Sequence, residues 1–500
     1  MPLGLGAKIA CVSAVATLSG IASVLKIMSM LSHNLGTCPP TKEQLEEENQ
    51  ENCALFRHVP NLKIKIAWRE LGNFPTPIHK GKVMVQASNT SPKEMHFYVK
   101  REDLASPKYG GNKVRTLQHQ LGIAEARAER GDMAAKKIIV AGSGGSNQIL
   151  ATVVHSQNLS PKMPKITPVW VQPDKPDLDN TLNFLSTLTM SNVEEEKQKT
   201  WGDSDVLSTL IAPLFWGDGL VLPPGGNNPA GCLGQISGAL ELAEQIERGE
   251  VEDPDRIYVP VGSSCTVSGL ILGIVLARQL GLKAFKKTQV CGVIIHHGAA
   301  AGQRATGVLT AWWAKYIPLT IRHTLHATAG VLSNLGGPDL LNDALFMVDN
   351  GGVRIIDAAD LVGVYGGHSD VSLLASKEYE KSGEISDVST GKIQEQLWLC
   401  GHFAGKAFSA MRRDFLHDIE LQSLEGMRAP LPVCLFWQTK SRVQPRGEVD
   451  TEWDKFLNLP ESVQKWGREG KNYNETREGI VDTTNHDTGQ QGYRHLMSKI

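Results

Sequence analysis

Hydrophobic and polar positions alternate along this chain in two periods. From Val114 to about Arg130 the apolar residues Leu117, Leu121 and Ala124 fall on one face, the spacing of a helix. Short apolar runs, Ile138-Ile139-Val140-Ala141, Ile166 to Val171, Ile257-Tyr258-Val259-Pro260-Val261, Val290 to Ile295 and Val433 to Trp437, read as buried strands. Met95 to Val99 alternates more weakly and is read as a further strand. Helical stretches are predicted from the turn after Ala141 to His155, from Leu233 to Gln245 and around Leu397 to Met411. Trp68 to Lys80 is a rigid extended lead-in, because Pro75 and Pro77 fix their own φ and bias the residues before them. The recurring order of strand, glycine turn and helix predicts an α/β protein with open, mostly parallel sheets covered by helices. Its sites belong at the carboxyl ends of the strands.

Composition narrows this picture. At 500 residues the chain can bury a large core and is expected to form two lobes. A formal net charge of −2, with no basic block, gives no support for nucleic-acid binding. The 8 cysteines are scattered without CxxC or zinc spacing, so reduced thiols and no structural metal are expected. His296 and His297 are adjacent, and neighbouring side chains on a strand point to opposite faces, which does not suit one metal ion. Ile9 to Leu25 is apolar or small, lies between Lys8 and Lys26, and precedes the first acidic residue, Glu43. It resembles a targeting segment, either an organellar presequence, mitochondrial or other, or a signal anchor that would give membrane association. A cytoplasmic chain with a short buried helix here is the alternative. Thr41 to Asn52 reads as a polar spacer, Asn192 to Asp205 as a surface insertion, and the chain from Gly447 as a polar tail.

The candidate chemistry starts at Lys100-Arg101-Glu102-Asp103, a charged strand end, followed by Gly110-Gly111-Asn112-Lys113. A lysine opening a helix sits at the positive end of the helix dipole, which points to a neutral amine or Schiff base. A solvated loop lysine is the plainer reading of this segment alone. Gly142-Ser143-Gly144-Gly145-Ser146-Asn147-Gln148 joins a strand to a helix and offers backbone N–H groups to an anion or cofactor. Gly262-Ser263-Ser264-Cys265-Thr266 places hydroxyls at another helix start, as a phosphate monoester needs. With no GKS/T, a nucleoside triphosphate loop is not supported.

The order Pro-Thr-Pro, Lys-Arg-Glu-Asp, Gly-Gly-Asn-Lys, Ser-Asn, Gly-Gly-Asn-Asn-Pro and the Ser/Thr loop resembles the D-cysteine desulfhydrase and 1-aminocyclopropane-1-carboxylate deaminase family, over roughly Leu71 to Thr439. The resemblance implies the tryptophan synthase β-like fold (fold type II), pyridoxal 5'-phosphate as cofactor, a small amino acid as substrate and a homodimer. It also implies a large domain of residues 56–115 plus 231–445 and a small domain of residues 116–230, between a leader at 1–55 and a tail at 446–500. Lys113 takes the place of the Schiff-base lysine, with Asn112 beside it. Asn147 matches the contact to the ring hydroxyl, Ser146 the serine proposed as proton relay or nucleophile, and Tyr365 a substrate-side tyrosine. Ser263, Ser264, Cys265 and Thr266 match the phosphate grip, and Thr439 a further cofactor contact. Ser264-Cys265 stand where relatives often carry Gly-Gly or Gly-Ser, so their side chains are expected to crowd the loop.

Two other departures lie on the far wall. Phe403 replaces the family's second tyrosine and loses its proton, and Gln438-Thr439-Lys440 replaces His-Thr-Gly, with a lysine expected to block or re-aim the pyridine side. Thr439 favours the D-cysteine reaction, to pyruvate, hydrogen sulfide and ammonia. Gln148 favours deamination of the cyclopropane acid to 2-oxobutyrate. A cofactor-binding protein with little catalysis is the third reading.

Overall fold

A computed structural model describes residues 33–46, 48–87, 91–157, 159–171, 178–188, 219–295, 317–362, 367–425 and 430–445, with a few further positions (26, 29–31, 190, 461, 464 and 465). The candidate targeting segment, the insertion at Asn192 to Asp205, His296-His297, Tyr365 and nearly all of the tail lie outside the described residues.

The strands are β1 Ile78–Val85, β2 Lys93–Arg101, β3 Ile138–Ser143, β4 Ile166–Val171, β5 Leu220–Leu222, β6 Arg256–Val261, β7 Gln289–Ile294, β8 Val353–Ile356, β9 Glu384–Asp387, β10 Ile393–Gln394 and β11 Cys434–Gln438. They form an 8-stranded sheet of order β10-β9-β1-β2-β11-β6-β7-β8 and a 3-stranded sheet of order β4-β3-β5. All pairs from β2 through β11, β6 and β7 to β8 are parallel, as are both pairs of the small sheet, whereas β10, β9, β1 and β2 are antiparallel neighbours. The expected α/β architecture of mostly parallel sheets covered by helices is therefore the observed one. The antiparallel end was not expected, since the lead-in through Lys80 continues directly into β1 and pairs with β2 over its whole length.

Seven helices matter for the site: α1 Lys113–Glu129, α2 Asn147–Ser156, α3 Leu178–Leu188, α4 Pro229–Glu247, α5 Cys265–Gln279, α6 Ile317–Asn334 and α7 Ala404–Glu425. The helix expected from Leu397 starts only at Ala404. The segment before it is buried without being helical, with Trp398 and Cys400 packed in the core beneath α7. Helices α1, α4 and α5 stack closely. A Cβ on Gly234 of α4 would lie 1.9 Å from the carbonyl oxygen of Arg115, so only glycine lets α4 approach the first turn of α1 this closely.

Helix α1 is buried all round from Val114 to Ala126, including Arg115, Gln118, His119, Gln120 and Glu125. Its polar face is covered by the stretch read as a spacer. Lys42–Glu46 is helical, and Gln44 donates to the Gly122 carbonyl at 3.1 Å and to Glu125 Oε2 at 2.7 Å. Arg69 adds a bond to Glu125 at 2.5 Å, and His119 Nδ1 bonds the Ala67 carbonyl at 3.1 Å. Cys53, Ala54 and Leu55 enter the main core. Polar residues here pair with the polar face of α1, so the spacer is a packed part of the fold.

Candidate active site

The strand end Lys100-Arg101-Glu102-Asp103 is not a solvated charge cluster: all four residues are buried. Buried charges persist only when paired and hydrogen-bonded. Lys100 Nζ donates to Glu241 Oε1 at 2.5 Å, Gln245 Oε1 at 2.6 Å and the Thr76 carbonyl at 2.9 Å. Arg115 Nε donates to Glu102 Oε2 at 2.7 Å and its Nη2 to Glu241 Oε1 at 2.7 Å. Arg101 makes a two-point pair with Asp103 and bonds His79. Burial alone would raise the Glu241 pKa, but Arg115 and Lys100 hold it down at about 2. Burial pulls the Lys100 pKa down, yet three acceptors surround its ammonium, so it stays charged. Because Arg115 is one short step beyond Lys113, this network ties the first turn of α1 to β2 and α4.

Lys113 is the first residue of α1 and keeps partial exposure. Its Nζ donates to the Gly225 carbonyl at 2.9 Å, and burial lowers its pKa from the usual lysine value. An amine at the positive end of a helix, surrounded by protein, is biased toward its neutral form. Gly225 has φ +66, and a Cβ there would lie 2.2 Å from Ser263 Oγ and 3.6 Å from Lys113 Nζ. The same carbonyl lies 3.5 Å from Ser263 Oγ, so one peptide group links the amine to the loop before α5.

That loop opens α5 without side-chain capping of the helix start, which leaves the first-turn N–H groups for an anion. Ser264 lies in the left-handed region at φ +72, a conformation that costs about 1–2 kcal/mol outside glycine. Its Oγ lies 2.6 Å from Thr320 Oγ1 on α6, and the Cys265 thiol is directed to the Gly226 carbonyl at 3.6 Å. The Ser264 hydroxyl is thus taken up by α6, while the Cys265 thiol faces the Gly225-Gly226 turn that also receives Lys113. Asn112 Nδ2 donates to Thr266 Oγ1 at 2.8 Å, joining the lysine turn to the loop, while the Asn112 N–H donates to the Thr439 carbonyl at 3.2 Å.

The opposite wall is the β3-α2 turn. Ser146 precedes α2, is partly exposed and does not spend its hydroxyl on capping the helix. Asn147 Oδ1 accepts from Tyr109 Oη at 2.9 Å, Asn183 Nδ2 at 2.9 Å and Lys440 Nζ at 2.6 Å. Lys440 also lies 3.1 Å from Asp179 Oδ2, and His402 Nδ1 is 3.7 Å from the same oxygen. Phe403 stacks on His402 with ring centroids 5.7 Å apart. The lysine expected to re-aim the far wall is thus held by Asn147 and Asp179.

The structure brings Asn112, Lys113, Ser263, Thr266 and Thr439 together around one turn and places Asn147 and Ser146 on the facing turn. Sequence reasoning missed Tyr109, Asp179 and Asn183, and took Gly225 only as part of the Gly-Gly-Asn-Asn-Pro run. Tyr109 stands next to the glycine pair and could have been noticed; the acids and amides of α3 carry no local signal.

A desolvated amine facing an uncapped, hydroxyl-lined helix start, with glycine where a Cβ would collide, defines a site for a phosphate-bearing carbonyl cofactor, and its donors fit pyridoxal phosphate. The chain belongs to the pyridoxal-phosphate dependent enzyme family, whose profile matches residues 70–331. Nocardicin C-9' epimerase of Nocardia uniformis subsp. tsuyamanensis is 30% identical over 184 residues, 36% of this chain and 53% of that protein. A putative 1-aminocyclopropane-1-carboxylate deaminase of Pyrococcus abyssi is 29% identical over 35% of this chain and 50% of its own length. D-cysteine desulfhydrase of Salmonella paratyphi A is 28% identical over 41% and 59%. The chain therefore matches little more than half the length of these relatives. Among solved structures, an ACC deaminase homologue is 20% identical with a TM-score of 0.49, over 81% of this chain and 99% of that one.

Proposed function

We propose that this chain is a pyridoxal-phosphate-dependent lyase of small amino acids, and that D-cysteine is its substrate, converted with water to pyruvate, hydrogen sulfide and ammonia. The observation that carries the reading is the Lys113 amine, lowered in pKa and bonded to the Gly225 carbonyl beside the loop that opens α5. Lys113 would hold the cofactor's carbonyl carbon, and Ser263, Thr266 and the first-turn N–H groups of α5 its phosphate. Bound there, the cofactor supplies an electron sink for the bond broken at the substrate's α-carbon. Lys113, as a neutral amine, accepts and returns a proton, and Ser146 Oγ moves one on the facing side.

The preference for D-cysteine over the cyclopropane acid rests on Thr439, whose carbonyl is fastened to the Asn112 N–H of the lysine turn, and the opposing feature is Gln148. That residue is 1% exposed, and its Nε2 lies 3.4 Å from Thr152 Oγ1 inside α2. Its side-chain oxygen would meet a Cβ on Gly226 at 2.9 Å, so the side chain packs under the Gly225-Gly226 turn. Its oxygen has no hydrogen-bond partner among the described residues, so Gln148 still speaks for deamination, and the substrate choice is left to a comparison of products.

The test is a comparison of sulfide and pyruvate released from D-cysteine with 2-oxobutyrate released from the cyclopropane acid, on protein carrying cofactor. Sulfide with equimolar pyruvate is expected. Formation of 2-oxobutyrate alone overturns the substrate choice, and a loaded protein that forms neither product is a cofactor binder. Ser146→Ala should keep the visible absorbance of the loaded protein while slowing turnover by a factor on the order of 10², as for loss of a positioned proton-transfer group. Unchanged turnover would take Ser146 out of the reaction.

A further inference from the structure

Lys440 is 1% exposed, and its ammonium has an acceptor for each proton: Asn147 Oδ1 at 2.6 Å, Asp179 Oδ2 at 3.1 Å and Tyr109 Oη at 3.4 Å. Trp398 lies beneath it, with its ring centroid 5.4 Å from Nζ, and Tyr109 presents its ring at 6.0 Å. The backbone is fixed as firmly. Lys440 forms a bridge with Gly111, and the Thr439 carbonyl accepts from the Asn112 N–H. The strand end that carries Lys440 is thereby attached to the turn that carries Lys113.

The consequence falls on Asn147. A side-chain amide has an oxygen end that accepts and a nitrogen end that donates, and the two are nearly the same shape. Around the Asn147 oxygen stand Lys440 Nζ and Asn183 Nδ2, which can only donate, and Tyr109 Oη. Turning the amide over would set its N–H groups against an ammonium and another amide N–H. A hydroxyl alone could tolerate either orientation; the ammonium cannot. The oxygen end of partly exposed Asn147 is therefore committed to the wall, and the amide N–H groups are left for what occupies the site.

We propose that Lys440 is a positioning residue that locks the Asn147 amide with its N–H donors toward the cofactor, so that the site selects a hydrogen-bond acceptor, the ring oxygen of pyridoxal phosphate, at that point. The inference rests on the cofactor reading above. Asp179 balances the charge of Lys440, and Lys440 acts through Asn147.

The experiment measures pyridoxal phosphate affinity and the visible band of purified full-length wild type, Lys440→Met, Asn147→Ala and the double variant. Lys440→Met should weaken binding roughly tenfold or more, the scale of a lost charge-assisted hydrogen bond, and displace the band maximum. In the Asn147→Ala background the same change should have little added effect on affinity, because the amide it orients is gone. A merely structural lysine would instead give the same loss in both backgrounds, and that result overturns the proposal, as does wild-type affinity with an unmoved band in Lys440→Met. Asn147→Asp supplies a test that leaves Lys440 in place. It keeps an oxygen toward the ammonium but replaces the outward donor by an acceptor, so it should bind the cofactor as poorly as Asn147→Ala, and wild-type affinity there contradicts the assigned orientation. A wild type that binds no cofactor at all would overturn the underlying reading as well, which separates the two failures.

Discussion

Lys113→Ala gives a folded protein that has lost the visible absorbance band of the loaded enzyme and turns over slower by a factor on the order of 10³. The band depends on a bond between the cofactor's carbonyl carbon and a lysine amine, and Lys113 is the amine beside the anion-binding start of α5. Folding should survive for an electrostatic reason. Burial lowers the Lys113 pKa, so the unfolded chain holds this proton more tightly than the folded one. The charged amine is a burden on the fold below its folded pKa, and the burden disappears as pH rises through that value toward the ordinary lysine range. Removing the amine removes the burden, so the thermal midpoint of the cofactor-free variant at neutral pH should equal or exceed that of the wild type. Absorbance spectra, steady-state rates and thermal unfolding of the purified variant check all three. Retention of the band, or loss of the fold, contradicts the role given to Lys113.

The second large effect is on stability. Glu241→Ala should destabilise the protein by about 3–5 kcal/mol, the penalty of breaking a buried ion pair and leaving charge behind. Glu241 Oε1 receives Lys100, Arg115 and the Thr76 N–H, the last at 2.8 Å, and with the carboxylate gone Glu102 alone faces two buried cations. The pH dependence has a definite sign. A carboxyl held down at about 2 in the folded state and titrating near 4.5 in the unfolded chain contributes stability that is complete above pH 4.5. That contribution is lost as pH falls toward 2. Urea unfolding at neutral pH and at pH 3 should therefore show wild type approaching Glu241→Ala as the solution is acidified. Parallel losses in both proteins would place the acid sensitivity elsewhere.

Much of this site was legible because its parts are local. A strand, a glycine turn and a helix start are contiguous in sequence, so Lys113, Ser146, Asn147 and the loop through Thr266 could be found without knowing what packs on them. What was not legible depends on distant chain. Lys100 to Asp103 read only as a charged strand end until Glu241 and Arg115 arrive from α4 and α1. Thr41 to Asn52 looks like a spacer because periodicity shows which residues are polar but not what pairs with them; here Gln44 meets Glu125. Lys440 read as an obstacle because its partners Asn147 and Asp179 lie on the other sheet's helices. The Gly225 carbonyl, the hydrogen-bond partner of Lys113, carries no side-chain signal at all.

Lys440 also supplies the sharpest alternative to the central claim, since it is a second buried amine on the wall of the same site. The direct measurement is reductive fixation of the bound cofactor with borohydride, followed by peptide mapping by mass spectrometry on the wild-type protein. A single pyridoxyl adduct on Lys113 is the predicted result. An adduct on Lys440, or on any lysine other than Lys113, would contradict the account.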